Sequence, residues 1–228
     1  MMTKRCPKKR NSTRAGLISL ALLGLAGCLS EPPVGAVMSF REQSYVNVVP
    51  QRYDFSCGAS AMATMLNSYF GESFSELELL ILIRSRYDLV SWTERRNEGL
   101  TFDDLRYMAN EVGYSAEGAK IGLKGLTEVN GPVIVHLLGK EFDHFVVLRG
   151  FADNAVLVAD PTFGQLRMTP REFARQYSGF ALAVWNPRKD LPENYPLAVT
   201  EEEKSLHKPL LRDSLFQQRV EPLKVPLG

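Results

Sequence analysis

The chain has 228 residues, 45% hydrophobic and 23% charged, enough apolar material for one compact domain with flanking segments. Its net charge of +1 is unevenly distributed: residues 1–27 carry six basic and no acidic residues, which leaves 21 basic against 26 acidic in the body. A mildly acidic body lacks the electrostatic footprint of a protein that binds nucleic acid or an anionic lipid surface.

At the N-terminus a basic stretch ends at Arg14 and the apolar run Ala15–Gly27 follows. The run is shorter than the roughly 20 residues a membrane span requires. It has the form of the apolar region of an export signal. Leu25-Ala26-Gly27-Cys28 closes the run and resembles the lipobox of bacterial lipoproteins. That resemblance implies cleavage before Cys28 and lipidation of Cys28. Leu29, where an Asp would argue for inner-membrane retention, implies an outer-membrane anchor on the periplasmic side. The alternative is ordinary cleavage near Gly27 and a soluble periplasmic protein. Residues 1–27 are thus read as a signal peptide, and residues 28–44, with Pro32, Pro33 and Gly35, as a tether.

In the body, Tyr45–Val49 reads as a strand stopped by Pro50, and residues 51–56 as a loop. From Cys57 to Phe70 the pattern is helical, with small residues in the first two turns, Asp54 or Ser56 as cap and Gly71 as stop. A second helix runs to Arg84 from a cap at Ser75. Residues 87–99 read as a polar loop. A third helix covers residues 101–112, capped by Thr101 and stopped by Gly113. The period then changes. Residues 133–138, 144–151, 155–159, 165–168 and 179–185 read as strands, with a short helix opened by Thr169-Pro170. Helices first and antiparallel strands second predict an α+β fold, with a helical half packed on an antiparallel sheet. Residues 187–228 hold six of the thirteen prolines and read as a C-terminal extension, either a surface-wrapping tail or, around Pro209–Val220, a lid or docking helix.

Three cysteines are present: Cys6, Cys28 and Cys57. Processing removes Cys6 and lipidation occupies Cys28, which leaves Cys57 as a lone thiol in an oxidising compartment. A lone cysteine is either an inert core residue or a used one. Cys57 opens a helix, where free amide N–H groups and the helix dipole favour a thiolate. A histidine is the partner such a nucleophile requires. Of the three histidines, His207 lies in the Pro-rich extension and His136 inside an apolar strand. His144 begins a strand after the polar loop at residues 139–143, where it can face a cleft. Asp160 ends the following strand, at the same end of the hairpin. A three-residue loop, Ala152-Asp153-Asn154, sets Asp160 opposite Val146 and on the face of His144; a two-residue loop puts them on opposite faces. Asp143 and Asp153 are the rival carboxylates. Gln51 precedes Cys57 by six residues. Its carboxamide is either an oxyanion donor or an ordinary loop group, and spacing does not separate the two.

The segments Val49–Ser60, Asp143–Val147 and Val158–Pro161 together resemble the C39 peptidases, papain-like domains that remove leader peptides from bacteriocin precursors. The resemblance covers roughly residues 45–186. It implies a papain-like fold, Cys57 as nucleophile, His144 as general base, Asp160 as orienting carboxylate and Gln51 as oxyanion donor, with no metal and no cofactor. Ser56 stands where transporter-fused members usually carry an acidic residue. The export signal makes the chain look more like the stand-alone C39-like component of functional-amyloid (Fap-type) secretion systems. An exported cysteine endopeptidase is therefore expected, with a protein or peptide as substrate, secretion-system components as partners, and membrane contact only through the lipid. A catalytically silent peptide-binding module and a cell-wall amidase with the same triad are the alternatives.

Overall fold

The computed structural model describes residues 39–139 and 143–205. The export signal, Cys28, His207 and the Pro209–Val220 segment lie outside the described residues.

The helices come first: α1 (Phe40–Ser44), α2 (Cys57–Phe70), α3 (Glu76–Arg84), α4 (Leu89–Glu98) and α5 (Phe102–Glu111). After β1 (Ser115–Lys120) and the short α6 (Leu123–Thr127) come β2 (Val133–Leu137), β3 (His144–Ala152), β4 (Ala155–Asp160), β5 (Gly164–Met168), α7 (Pro170–Gln176), β6 (Tyr177–Trp185) and α8 (Glu201–Ser205). The strands form one antiparallel sheet in the order β1-β6-β2-β3-β4-β5. This is the α+β arrangement expected.

Cap chemistry explains where several helices begin. Ser75, Thr101 and Thr169 each accept the amide three residues on, and Ser75 and Thr101 form reciprocal capping boxes with Glu78 and Asp104. Gly71 ends α2 in the left-handed conformation. Three local expectations need correction. Tyr45–Val49 is not a strand but turns out of α1, itself part of the segment read as a tether. The supposed loop at 87–99 is mostly α4, capped by Asp88. Leu89 and Val90 are exposed there and Trp92 is only partly covered, so periodicity is weak. Ser56 precedes α2 without a capping side-chain bond, because its hydroxyl faces Tyr53 and Glu76 instead.

The sheet is buried on both faces. Ile134, Phe145, Val147, Ala159 and Leu182 pack against α2, α3 and α5. Val135, Val146, Leu148, Val156, Val158 and Ala181 pack on the other side with Phe173 of α7 and Leu126 of α6. Double-sided burial accounts for the continuous apolar runs of β2 to β4. Helix α2 runs against this sheet almost wholly buried, and its small residues permit the approach. A Cβ on Gly58 would stand 2.7 Å from Leu105 and 3.3 Å from Phe145.

Candidate active site

Cys57 is the first residue of α2 and 7% exposed. As a first-turn residue its own amide has no intrahelical partner and faces outward from the helix end. The preceding turn is held from below. Glu76, buried at the start of α3, accepts the Arg52 amide at 2.9 Å and the Ser56 hydroxyl. The Ser56 hydroxyl oxygen in turn accepts the Tyr53 amide at 3.3 Å. A buried carboxylate thus fixes the turn that delivers Cys57. Nothing in the spacing of Glu76 marks it, since it reads as an ordinary acidic residue in a first helical turn.

His144 opens β3 and Asp160 closes β4. Their side chains meet, with His144 Nε2 to Asp160 Oδ1 at 2.9 Å. The Cys57 thiol is the other side chain that acts on this ring. Burial pulls the His144 imidazole down, but hydrogen bonds to Asp160 and Cys57 and the charges of both groups prevail, lifting it to about 9. Asp160 is 5% exposed, and Oδ1 also accepts the amides of Thr162 (2.7 Å) and Phe163 (3.1 Å). Those two bonds fix the carboxylate independently of the histidine. Residue spacing alone does not reveal them, because they come from the turn after Pro161.

The route to this pairing differs from the expected one. The hairpin loop has two residues, Asp153 and Asn154, since Ala152 pairs with Ala155. Alone, that register would set Asp160 on the face opposite His144. A β-bulge between Leu148 and Gly150 adds one residue to β3, so Val147 pairs with Ala159. Continued one step, Asp160 stands opposite Val146 and shares the face of His144. The expected loop was wrong and the bulge compensates for it.

Gln51 lies at the same cleft. Its amide donates to the Pro161 carbonyl at 2.9 Å, which joins the segment before Cys57 to the segment after Asp160. The Gln51 carboxamide donates to the Tyr53 carbonyl at 3.3 Å, and its oxygen is buried without a hydrogen-bond partner among the described residues. His136 is elsewhere. It packs against Phe102 and Phe145, and burial holds it below its ordinary value despite Asp143 at 3.8 Å. Asp143, the rival carboxylate nearest in sequence, therefore faces His136, and Asp153 sits in the hairpin turn at the far end.

Cys57, His144, Asp160 and Gln51 all line one cleft of about 860 Å³. Phe55, Phe163, Leu166 and Met168 supply its apolar wall, with Asp54, Arg96, Glu98 and Glu172 as charged groups. A second depression of about 390 Å³ touches none of the four, and its Arg86 and Arg106 are both paired with Asp103. A lone buried thiol, a carboxylate-held imidazole and a helix N-terminus at one cleft are the parts of thiol-dependent acyl transfer.

Residues 45–189 match the peptidase C39 family. The chain belongs to that family. A protein of Pseudomonas fluorescens named "Probable functional amyloid protease FapD" is 33% identical over 184 residues, covering 77% of this chain and 79% of that one. Its namesake in Pseudomonas aeruginosa is 32% identical over 150 residues and 64% of its own length is covered. The colicin V secretion/processing ATP-binding protein CvaB of Escherichia coli is 28% identical, but the match covers only 19% of it. Among solved structures, the peptidase domain of Streptococcus ComA superposes with a TM-score of 0.52 at 23% identity, covering 60% of this chain and 96% of that domain. The fold is thus the papain-like fold of C39 domains, and this C39 member is a cysteine peptidase.

Proposed function

We propose that this C39 peptidase acts through Cys57, His144 and Asp160 on a protein exported from the cytoplasm, within a functional-amyloid secretion pathway. The observation that carries the catalytic part is the His144–Asp160 bond at 2.9 Å, with Cys57 as the imidazole's other partner. His144 takes the proton of the Cys57 thiol, and the thiolate sulfur attacks the scissile carbonyl carbon as the carbonyl π pair moves onto oxygen. Asp160 keeps the imidazole oriented and stabilises its charged form. The Cys57 backbone N–H and the second N–H of the Gln51 carboxamide, the first being engaged by Tyr53, receive the oxyanion. On collapse, the imidazolium proton passes to the departing amine and leaves a thioester on Cys57. Water, deprotonated by His144, then attacks that thioester and releases the acid and the thiol.

The amyloid pathway is supported by the two relatives whose names state it. The periplasmic location rests on the sequence alone: the apolar run after Arg14 and the Leu25–Cys28 pattern, read as an outer-membrane lipid anchor on Cys28. Comparison of the envelope proteins of wild-type and Cys57→Ala strains tests the reading. An exported protein should accumulate with an uncleaved segment in the variant. An unchanged cleavage pattern, with pathway output intact, would instead make the domain a peptide-binding module. Membrane fractionation of a Cys28→Ser protein tests the anchor, which predicts release of the protein to the soluble fraction.

A further inference from the structure

The β3 bulge is not closed by the peptidase domain alone. Its extra residue, Arg149, has a side chain only 6% exposed. All five of its N–H groups are engaged. Nε donates to the Leu197 carbonyl at 3.0 Å and Nη2 to the Ala198 carbonyl at 3.0 Å. Nη1 and Nη2 reach the two Glu203 oxygens at 2.7 and 2.9 Å, and Nη1 also reaches Gln165 at 2.7 Å. Four of these five bonds end on residues 197–203, beyond the family match, which stops at residue 189. The same segment is seated in the main core: Leu197 is fully buried, and Tyr195 lies edge-on to Tyr69 at 4.5 Å. Gly150 adopts φ +155, and a Cβ there would stand 2.9 Å from Val199. Bulge and segment are therefore fitted to each other.

The consequence follows from strand geometry. A two-residue hairpin turn, continued regularly, pairs Asp160 with Val147 and turns it away from His144. Only the additional residue in β3 restores the shared face. Retaining that residue as a bulge leaves a buried cation that must be held, and a buried guanidinium without its carboxylate is strongly destabilising. We propose that residues 195–205 form a clasp that fixes the bulge at Arg149 and so selects the hairpin register in which His144 and Asp160 meet, with Arg149 and Glu203 as positioning residues. The inference rests on the triad reading for its effect on catalysis, though not for its effect on register. It gives the C-terminal extension a role in assembling the site from outside the family's matched span.

The register can be read directly. In the full-length protein, NMR cross-strand contacts between Val147 and Ala159 report the active register, and contacts between Leu148 and Ala159 report the slipped one. Cys57 alkylation against pH reports the coupling of the imidazole to Asp160. Glu203→Ala should populate the Leu148–Ala159 contact and lower the basic limb of the alkylation profile. Its kcat on a peptide substrate should fall at least tenfold, with KM changed little. Glu203→Gln, which keeps the side chain's shape, serves the same purpose should the alanine variant not fold. The decisive control deletes Arg149 in the Glu203→Ala background. Without the extra residue a regular hairpin keeps Val147 opposite Ala159, so the alkylation profile should return although the clasp is gone. Retention of the Val147–Ala159 contact in Glu203→Ala and Glu203→Gln, or failure of the deletion to restore the profile, would overturn the proposal. If the triad reading alone were wrong, the contacts would still shift, but Asp160→Asn in an otherwise native chain would leave the alkylation profile unchanged.

Discussion

Replacing Asp160 by Asn keeps the size of the side chain and removes its charge. In the native site the carboxylate supports the His144 imidazolium through a 2.9 Å bond and through its charge, and Cys57 supplies the rest. The rise of His144 from 6.5 to about 9 amounts to roughly 3 kcal/mol in favour of the charged ring, at about 1.4 kcal/mol per pKa unit. Burial opposes that rise and is unaffected by the substitution. With Asp160 neutral, the ring keeps the penalty and loses one of its two supports, so its titration should fall by about one to two pH units. The amides of Thr162 and Phe163 hold the carboxamide oxygen where Oδ1 stood, so the ring keeps an acceptor but a neutral one. Together these effects predict a loss of about 10²-fold in kcat/KM near neutral pH, the scale of general acid–base contributions. The assay is the pH dependence of Cys57 alkylation by iodoacetamide, with the His144 ring followed by NMR in the same samples. The native basic limb should lie near pH 9 and that of Asp160→Asn well below it. Identical limbs in the two proteins would refute the coupling of Asp160 to the site.

Other consequences follow from neighbouring groups. Because His144 is raised to about 9, its contribution to stability is complete below its ordinary value near 6.5 and is lost as pH rises through about 9; melting temperature over that window should fall more for the native protein than for His144→Ala. Gly58→Ala places a methyl group 2.7 Å from Leu105 in a closed core, so overpacking of about 1–3 kcal/mol should outweigh the gain of roughly 1 kcal/mol in helix propensity, measurable by urea denaturation. Glu76→Ala removes the acceptor for the Arg52 amide and the Ser56 hydroxyl, at a cost of about 1–3 kcal/mol, and should lower the alkylation rate of Cys57 by loosening the turn before it. Gly164→Ala drives a Cβ to 2.3 Å from the Ser44 carbonyl at a φ of +81, so α1 should detach from β5, visible as faster amide exchange in residues 40–44.

Much of this protein is written locally. Caps at Ser75, Thr101 and Thr169, the stop at Gly71 and the apolar strands follow from chemistry within a few residues, and they define the α+β class without tertiary information. Cysteine counting and helix position single out Cys57, and the strand ends offer His144 and Asp160 as its candidate partners. A count of residues between strands does not predict this pairing. The hairpin loop has two residues and not three, and the face shared by His144 and Asp160 depends on the bulge at Arg149. Gly150 is the one local hint of the bulge, and the bonds that hold it come from Leu197, Ala198 and Glu203, some fifty residues further along the chain. The same holds for Glu76 beneath the Cys57 turn, whose partners Arg52 and Ser56 lie 24 and 20 residues away. Residue type and order name the candidate groups, whereas the register that lets His144 and Asp160 meet depends on long-range burial and hydrogen bonding.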